Sequence, residues 1–159
     1  MAKTKLKVSG LPQVKRLEEF DFSWPKGGLT ENKFQELSSL LFLPRKEDVI
    51  LTGPSGIGKT HLMIALTYKT CMTGYSAYYL SCIDLTEVLV RGAVRASTIN
   101  RLKSKLQWMK KPHVLVIDEV GYENLNYEQA TLFFQLINVR YEHGLIIIMT
   151  NKPFPNGEK

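Results

Sequence analysis

Residues 48–65, DVILTGPSGIGKTHLMIA, carry the residue types and the spacing of a phosphate-binding site. The run 48–52 is short, apolar and β-branched, which predicts a buried strand. Residues 53–60 read G-x-x-x-x-G-K-T, and a helical pattern follows. Strand, glycine-rich turn and helix in that order form a P-loop. Gly53, Gly56 and Gly58 allow backbone conformations that a side chain forbids. The freed N–H groups can then turn toward a phosphate at the positive end of the helix dipole. The predicted phosphate-binding set is Gly53, Pro54, Ser55, Gly56, Ile57, Gly58, Lys59, Thr60 and His61. Lys59 supplies a point charge to the β- and γ-phosphates of ATP, and the Thr60 hydroxyl is a Mg²⁺ ligand. His61 reads as a helix-face residue and not as a base.

A second carboxylate-bearing stretch, HVLVIDEV at 113–120, is an apolar run ending in Asp118-Glu119, 59 residues after Lys59. Ligands of open α/β sheets bind at the carboxyl ends of the strands. Asp118 is therefore expected to hold the Mg²⁺ shell, and Glu119 to orient or deprotonate an attacking water. Asn151 ends the next apolar run and should reach the same edge, where its amide can position water. The three histidines have no metal-type spacing. The implied chemistry is phosphoryl transfer to water, by positioning and electrostatics.

These groups need a frame. Strands are predicted at 48–52, 75–80, 113–117 and 145–149. A helix capped by Thr30 should run to about residue 42, with Phe34, Leu37 and Leu41 on one face. The P-loop helix should end at Gly74. Asp84 and Glu87 have capping-box spacing ahead of Leu85, Val88, Leu89 and Gly92. A helix over 97–110 is stopped by Pro112. Another over 127–141 carries Ala130, Phe133, Phe134, Ile137 and Tyr141 on one stripe and ends at Gly144. Apolar strands alternating with helices predict an α/β fold, a parallel sheet covered on both faces. Phe20, Phe22 and Trp24 alternate like a strap laid on that body.

The composition, 44% apolar and 23% charged, fits one globular domain and excludes a disordered or fibrous chain. Cys71 and Cys82 have no ligand spacing, which fits a reducing, cytoplasmic setting. No apolar run approaches the ~18 residues of a membrane span, so no membrane partner is expected. The basic start MAKTKLKVSG lacks the apolar core of a signal peptide. The net charge of +6 is concentrated: residues 1–16 carry +5 and residues 88–117 carry +7, neither with an acid. Residues 1–13 read as a basic flexible tail, and 14–159 as the folded core. The second basic segment, with Arg91, Arg95, Arg101, Lys103 and Lys105, predicts DNA phosphate contacts.

The set FDFSW, GPSGIGKTHL, IDEVGY, RYEHG (140–144) and TNKPF (150–154) resembles the IstB-like AAA+ ATPases over about 14–155. These are ATP-binding helpers of insertion-sequence transposition, related to the DnaC-type helicase loaders. The resemblance implies an AAA+ core that forms ATP-dependent homo-oligomers on double-stranded DNA and assists a transposase. The alternative it leaves is delivery of a replicative helicase. It makes Asn151 the sensor-1 residue and places the basic segment among DNA-facing helices. Family members continue into a fifth strand, an arginine finger acting in trans and a helical lid. The 159 residues stop short of these, so the core is expected to be C-terminally truncated. Its ATPase activity is expected to be weak, since such a finger is worth ~10³ or more in rate. Arg140 is a conceivable substitute, but its position predicts a helix-end cap. A nucleotide kinase is disfavoured, because the eight residues after Asn151 cannot supply an acceptor pocket and a lid.

Overall fold

Four runs of β-branched, leucine and tyrosine residues pair side by side in the computed structural model, which describes residues 2–20, 30–53, 56, 58–93, 106–121 and 124–152. They are β1 (Val49–Thr52), β2 (Ala77–Ser81), β3 (Val114–Val120) and β4 (Leu145–Thr150). All pairings are parallel, in the order β1-β4-β3-β2. The register places Thr52 beside Thr150, Val120 beside Thr150 and Ser81 beside Asp118. The carboxyl ends of the strands therefore share one edge of the sheet.

Parallel strands need crossovers, and their helices bury both sheet faces. α4 (Lys59–Met72) joins β1 to β2. α5 (Cys82–Ala93) and α6, described over 106–110, lie between β2 and β3, and α7 (Tyr127–Tyr141) lies between β3 and β4. Strand alternation divides the core into two layers. Val114, Val116, Leu145, Ile147 and Met149 pack with Leu62, Met63 and Leu66 of α4. Leu115, Ile117 and Ile146 pack with Leu85 and Leu89 of α5, Met109, and Leu132, Phe133 and Leu136 of α7. The fold class read from the sequence is therefore the observed one, with four strands among the described residues. None of the described helices is long and apolar enough to cross a membrane.

Several local expectations change. Residues 2–7 form helix α1 (Ala2–Lys7), which packs on α4, where the sequence suggested a flexible tail. Leu6 and Leu11 lie against the core, and the Ser9 carbonyl accepts the Tyr79 N–H at 2.6 Å. This covers the open edge of β2, a contact that composition does not disclose. Gly10, at φ 74, permits the approach, because a Cβ there would lie 2.7 Å from the Tyr79 carbonyl oxygen.

The helix capped by Thr30 breaks into α2 (Glu31–Ser38) and α3 (Phe42–Arg45), with Leu40 between them at φ 57. In an unbroken helix the Pro44 ring would strike the Leu40 carbonyl. In α3 it sits in the first turn, where no N–H is needed. Ser81, not Asp84, caps α5: its Oγ accepts the Asp84 N–H at 3.1 Å. α7 matches its predicted span, with a capping box between Asn126 and Gln129, but it is rotated. Leu132, Phe133, Leu136 and Arg140 face inward, while Phe134 is 65% and Tyr141 84% exposed. Of the predicted strap, Phe20 is buried and stacks on Phe34 with centroids 5.1 Å apart. Phe22 and Trp24 lie outside the described residues.

Candidate functional site

The turn after β1 holds three glycines at positive φ: Gly53 at 149°, Gly56 at 84° and Gly58 at 87°. Pro54, Ser55 and Ile57 lie outside the described residues. Gly58 occupies the N-cap position of α4 in the left-handed region. A Cβ on it would meet the Phe20 ring at 3.1 Å, so both backbone and packing ask for glycine. Lys59 opens the helix and is 7% exposed. Its Nζ donates to the Gly53 carbonyl at 2.5 Å, folding the side chain back across the loop. Burial lowers the Lys59 pKa, and the Asp118 carboxylate pulls it back upward. The ammonium therefore lies within electrostatic reach of the β3 carboxylate.

Thr60 is exposed at the start of α4. The His61 ring packs edge-on to Phe20 at 5.6 Å, and its Nε2 is 3.3 Å from the Arg16 carbonyl oxygen. That is a helix-face role, as the sequence suggested.

Asp118 is 3% exposed at the end of β3. Its Oδ2 accepts the Tyr79 hydroxyl, and its Oδ1 accepts the Glu119 N–H at 2.7 Å. Glu119 is exposed and has φ 59, and the β3–β4 register shifts between Ile117 and Val120. A left-handed residue other than glycine costs roughly 1–2 kcal/mol. Strain of this kind is found where a side chain must be aimed out of a ladder. Glu119→Gly should therefore stabilise the fold by up to about 1 kcal/mol, after the extra unfolded-state entropy of glycine. Urea unfolding checks this, and a destabilised variant would show that the left-handed turn is not strained.

Asn151 follows β4, and its buried Oδ1 has no hydrogen-bond partner among the described residues. An unpaired buried amide oxygen is costly unless a ligand or water completes it. Because β4 lies between β1 and β3, Lys59, Thr60, Asp118, Glu119 and Asn151 come to one edge of the sheet. Among the described residues no group of three or more His, Cys, Asp or Glu could cage a metal. Thr60 and Asp118 instead suit Mg²⁺, which takes one or two protein ligands and completes its shell with phosphate and water.

The predicted DNA contacts are less fully placed. Arg91 is exposed on α5 and pairs with Glu87 at 3.4 Å. Arg95, Arg101, Lys103 and Lys105 lie outside the described residues. Arg140 is fully buried, its guanidinium donating to five backbone carbonyls. It cannot serve as an arginine finger in this position. Nor does it cap its own helix: it binds the carbonyls of Met109 and Lys110 at the end of α6. Sequence reasoning missed Tyr79 as the partner of Asp118. Its only signal was a tyrosine, with a polar tip, at a buried position of β2.

The model of the IstB-like ATP binding protein family matches residues 1–159. A Pseudomonas aeruginosa protein named for insertion sequence IS21 and for ATP binding is 42% identical over 151 residues. That match takes in 95% of this chain but 55% of the relative, so the chain spans about half the relative's length. Among solved structures, AMPPCP-bound DnaA from Aquifex aeolicus superposes with a TM-score of 0.73 at 19% identity, over 93% of this chain and 45% of that one. The DnaC helicase loader does so at 0.65 and 19%, over 94% and 80%. At such identities the two structures speak for the fold alone, the P-loop AAA+ fold. With the turn glycines and Lys59 in place and the family model matching residues 1–159, the chain belongs to the IstB-like ATP-binding proteins.

Proposed function

We propose that this chain binds Mg²⁺-ATP at the edge formed by β1, β4 and β3, assembles on double-stranded DNA in its ATP-bound state, and assists a transposase. The observation that carries the nucleotide site is the Lys59 ammonium folded onto the Gly53 carbonyl within reach of Asp118. On binding, Lys59 exchanges that carbonyl for β- and γ-phosphate oxygens, and the N–H groups of the 53–60 turn add hydrogen bonds. Thr60 and Asp118 hold the Mg²⁺ shell. Glu119 takes the proton of a water that attacks the γ-phosphorus while the bond to the β–γ bridging oxygen breaks and ADP leaves, and the Asn151 amide orients that water. The bound ion supplies charge neutralisation along the phosphates.

The name of the P. aeruginosa relative ties it to an insertion sequence, which favours transposition over helicase loading. The DnaC likeness is one of fold only. Basic residues at irregular spacing, with few Asn or Gln side chains among them, should contact phosphates and not base edges. Replacing Arg101, Lys103 and Lys105 together by glutamine is expected to weaken binding to unrelated duplexes by a similar factor. It should also flatten the slope of log affinity against log salt by up to about three. ATP binding should survive. Fluorescence anisotropy over a salt series checks this. Unchanged affinity and slope would make the segment a solvated face and remove the DNA part of the proposal.

A further inference from the structure

We propose that Tyr79 is a positioning residue for Asp118, fixing the carboxylate that would hold Mg²⁺. The inference rests on the assignment of Asp118 made above. Tyr79 pairs with Val116 in the β2–β3 register, and Ser81 with Asp118. Val116 and Asp118 are two residues apart and so share one face of β3, which is also the face on which Tyr79 lies. That face is the one covered by α4, the helix that Lys59 begins. A diagonal neighbour across two strands is within reach of an aromatic side chain. The Tyr79 hydroxyl reaches Asp118 Oδ2, while Oδ1 accepts the Glu119 N–H at 2.7 Å.

The consequence is a carboxylate held at both oxygens. Rotation about its Cβ–Cγ bond would break one bond or the other. Each oxygen keeps a second lone pair for an ion. Tyr79 is 9% exposed. A phenol hydroxyl, with an ordinary pKa of about 10, keeps its proton at neutral pH and so donates to the carboxylate. A phenylalanine would keep the ring in the same core and remove only the donor.

Second partners that orient a metal ligand are typically worth 10–100-fold in metal affinity. In the 159-residue chain, Tyr79→Phe should bind ATP in EDTA within twofold of the unaltered protein. Calorimetric titration with ATP across a Mg²⁺ series should show half-maximal enhancement at about tenfold higher Mg²⁺. Asp118→Asn, measured alongside, should abolish the enhancement. If Asp118→Asn retains it, the assignment of Asp118 falls, and the role of Tyr79 with it. If Asp118→Asn loses it while Tyr79→Phe keeps the unaltered Mg²⁺ dependence, Tyr79 is a packing residue only and the Asp118 assignment stands. Weaker ATP binding by Tyr79→Phe in EDTA as well as in Mg²⁺, by one common factor, would also overturn the proposal. A loss independent of the ion is a general disturbance of the pocket.

Discussion

Replacing Arg140 by leucine is expected to remove at least about 3 kcal/mol of stability. Nη1 donates to the carbonyls of Met109 and Lys110, each at 3.1 Å, and Pro112 at 2.7 Å. Nη2 donates to His113 at 3.1 Å and Leu145 at 2.7 Å. One side chain thus ties the end of α6 to the starts of β3 and β4. A carbonyl left unpaired in the interior costs roughly 1–3 kcal/mol, and bonds to a charged donor are stronger than neutral ones. Burial pulls the guanidinium pKa down, and Asp48 pulls it up. Asp48 itself accepts the Ile146 N–H at 2.8 Å, so the charge has a carboxylate nearby as well as its carbonyls. Leucine fills part of the volume but satisfies none of these groups. Against the 5–15 kcal/mol of an ordinary domain, the loss brings the chain close to unfolding. Arg140→Lys should recover only part of it, because an ammonium cannot present the planar fork. Chemical unfolding measures both variants. A loss below about 1 kcal/mol for leucine would mean that water replaces the guanidinium at little cost.

The sheet and its site edge were legible because both depend on local pattern. Apolar runs of strand length alternated with helical periodicity, and the P-loop turn announces itself through Gly53, Gly56, Gly58 and Lys59. The end of α4 was legible for the same reason: Gly74 at φ 97 lets Tyr75 N–H reach the Thr70 carbonyl at 3.2 Å. What escaped the sequence depends on partners distant along the chain. Residues 132–137 offer two overlapping apolar stripes, and periodicity cannot choose between them. The observed choice buries an arginine, against the usual preference, because five carbonyls wait for it. The docking of α1 depends on Ser9 meeting Tyr79 across 70 positions. Tyr79 in turn meets Asp118 across 39. Neither pairing leaves a mark in spacing.

Lys59→Ala is expected to weaken Mg²⁺-ATP binding by at least about tenfold, and by up to about a hundredfold. Bonds to charged groups contribute roughly 1.5–3 kcal/mol, and each 1.4 kcal/mol is a factor of ten. Two effects add. The ammonium no longer meets the β- and γ-phosphates, and Asp118 loses its nearby cation, so the edge becomes more repulsive to a polyanion. The Gly53 carbonyl loses its Lys59 partner, but Gly53 is only partly buried, so water can replace the ammonium. Thermal unfolding of the variant should therefore stay close to that of the unaltered chain. Direct calorimetric titration of Mg²⁺-ATP into both proteins is the measurement on which the account rests. A folded Lys59→Ala protein with at least tenfold weaker binding supports the phosphate site at residues 53–60. A folded variant that binds with the affinity of the unaltered chain would place the nucleotide elsewhere and contradict the site.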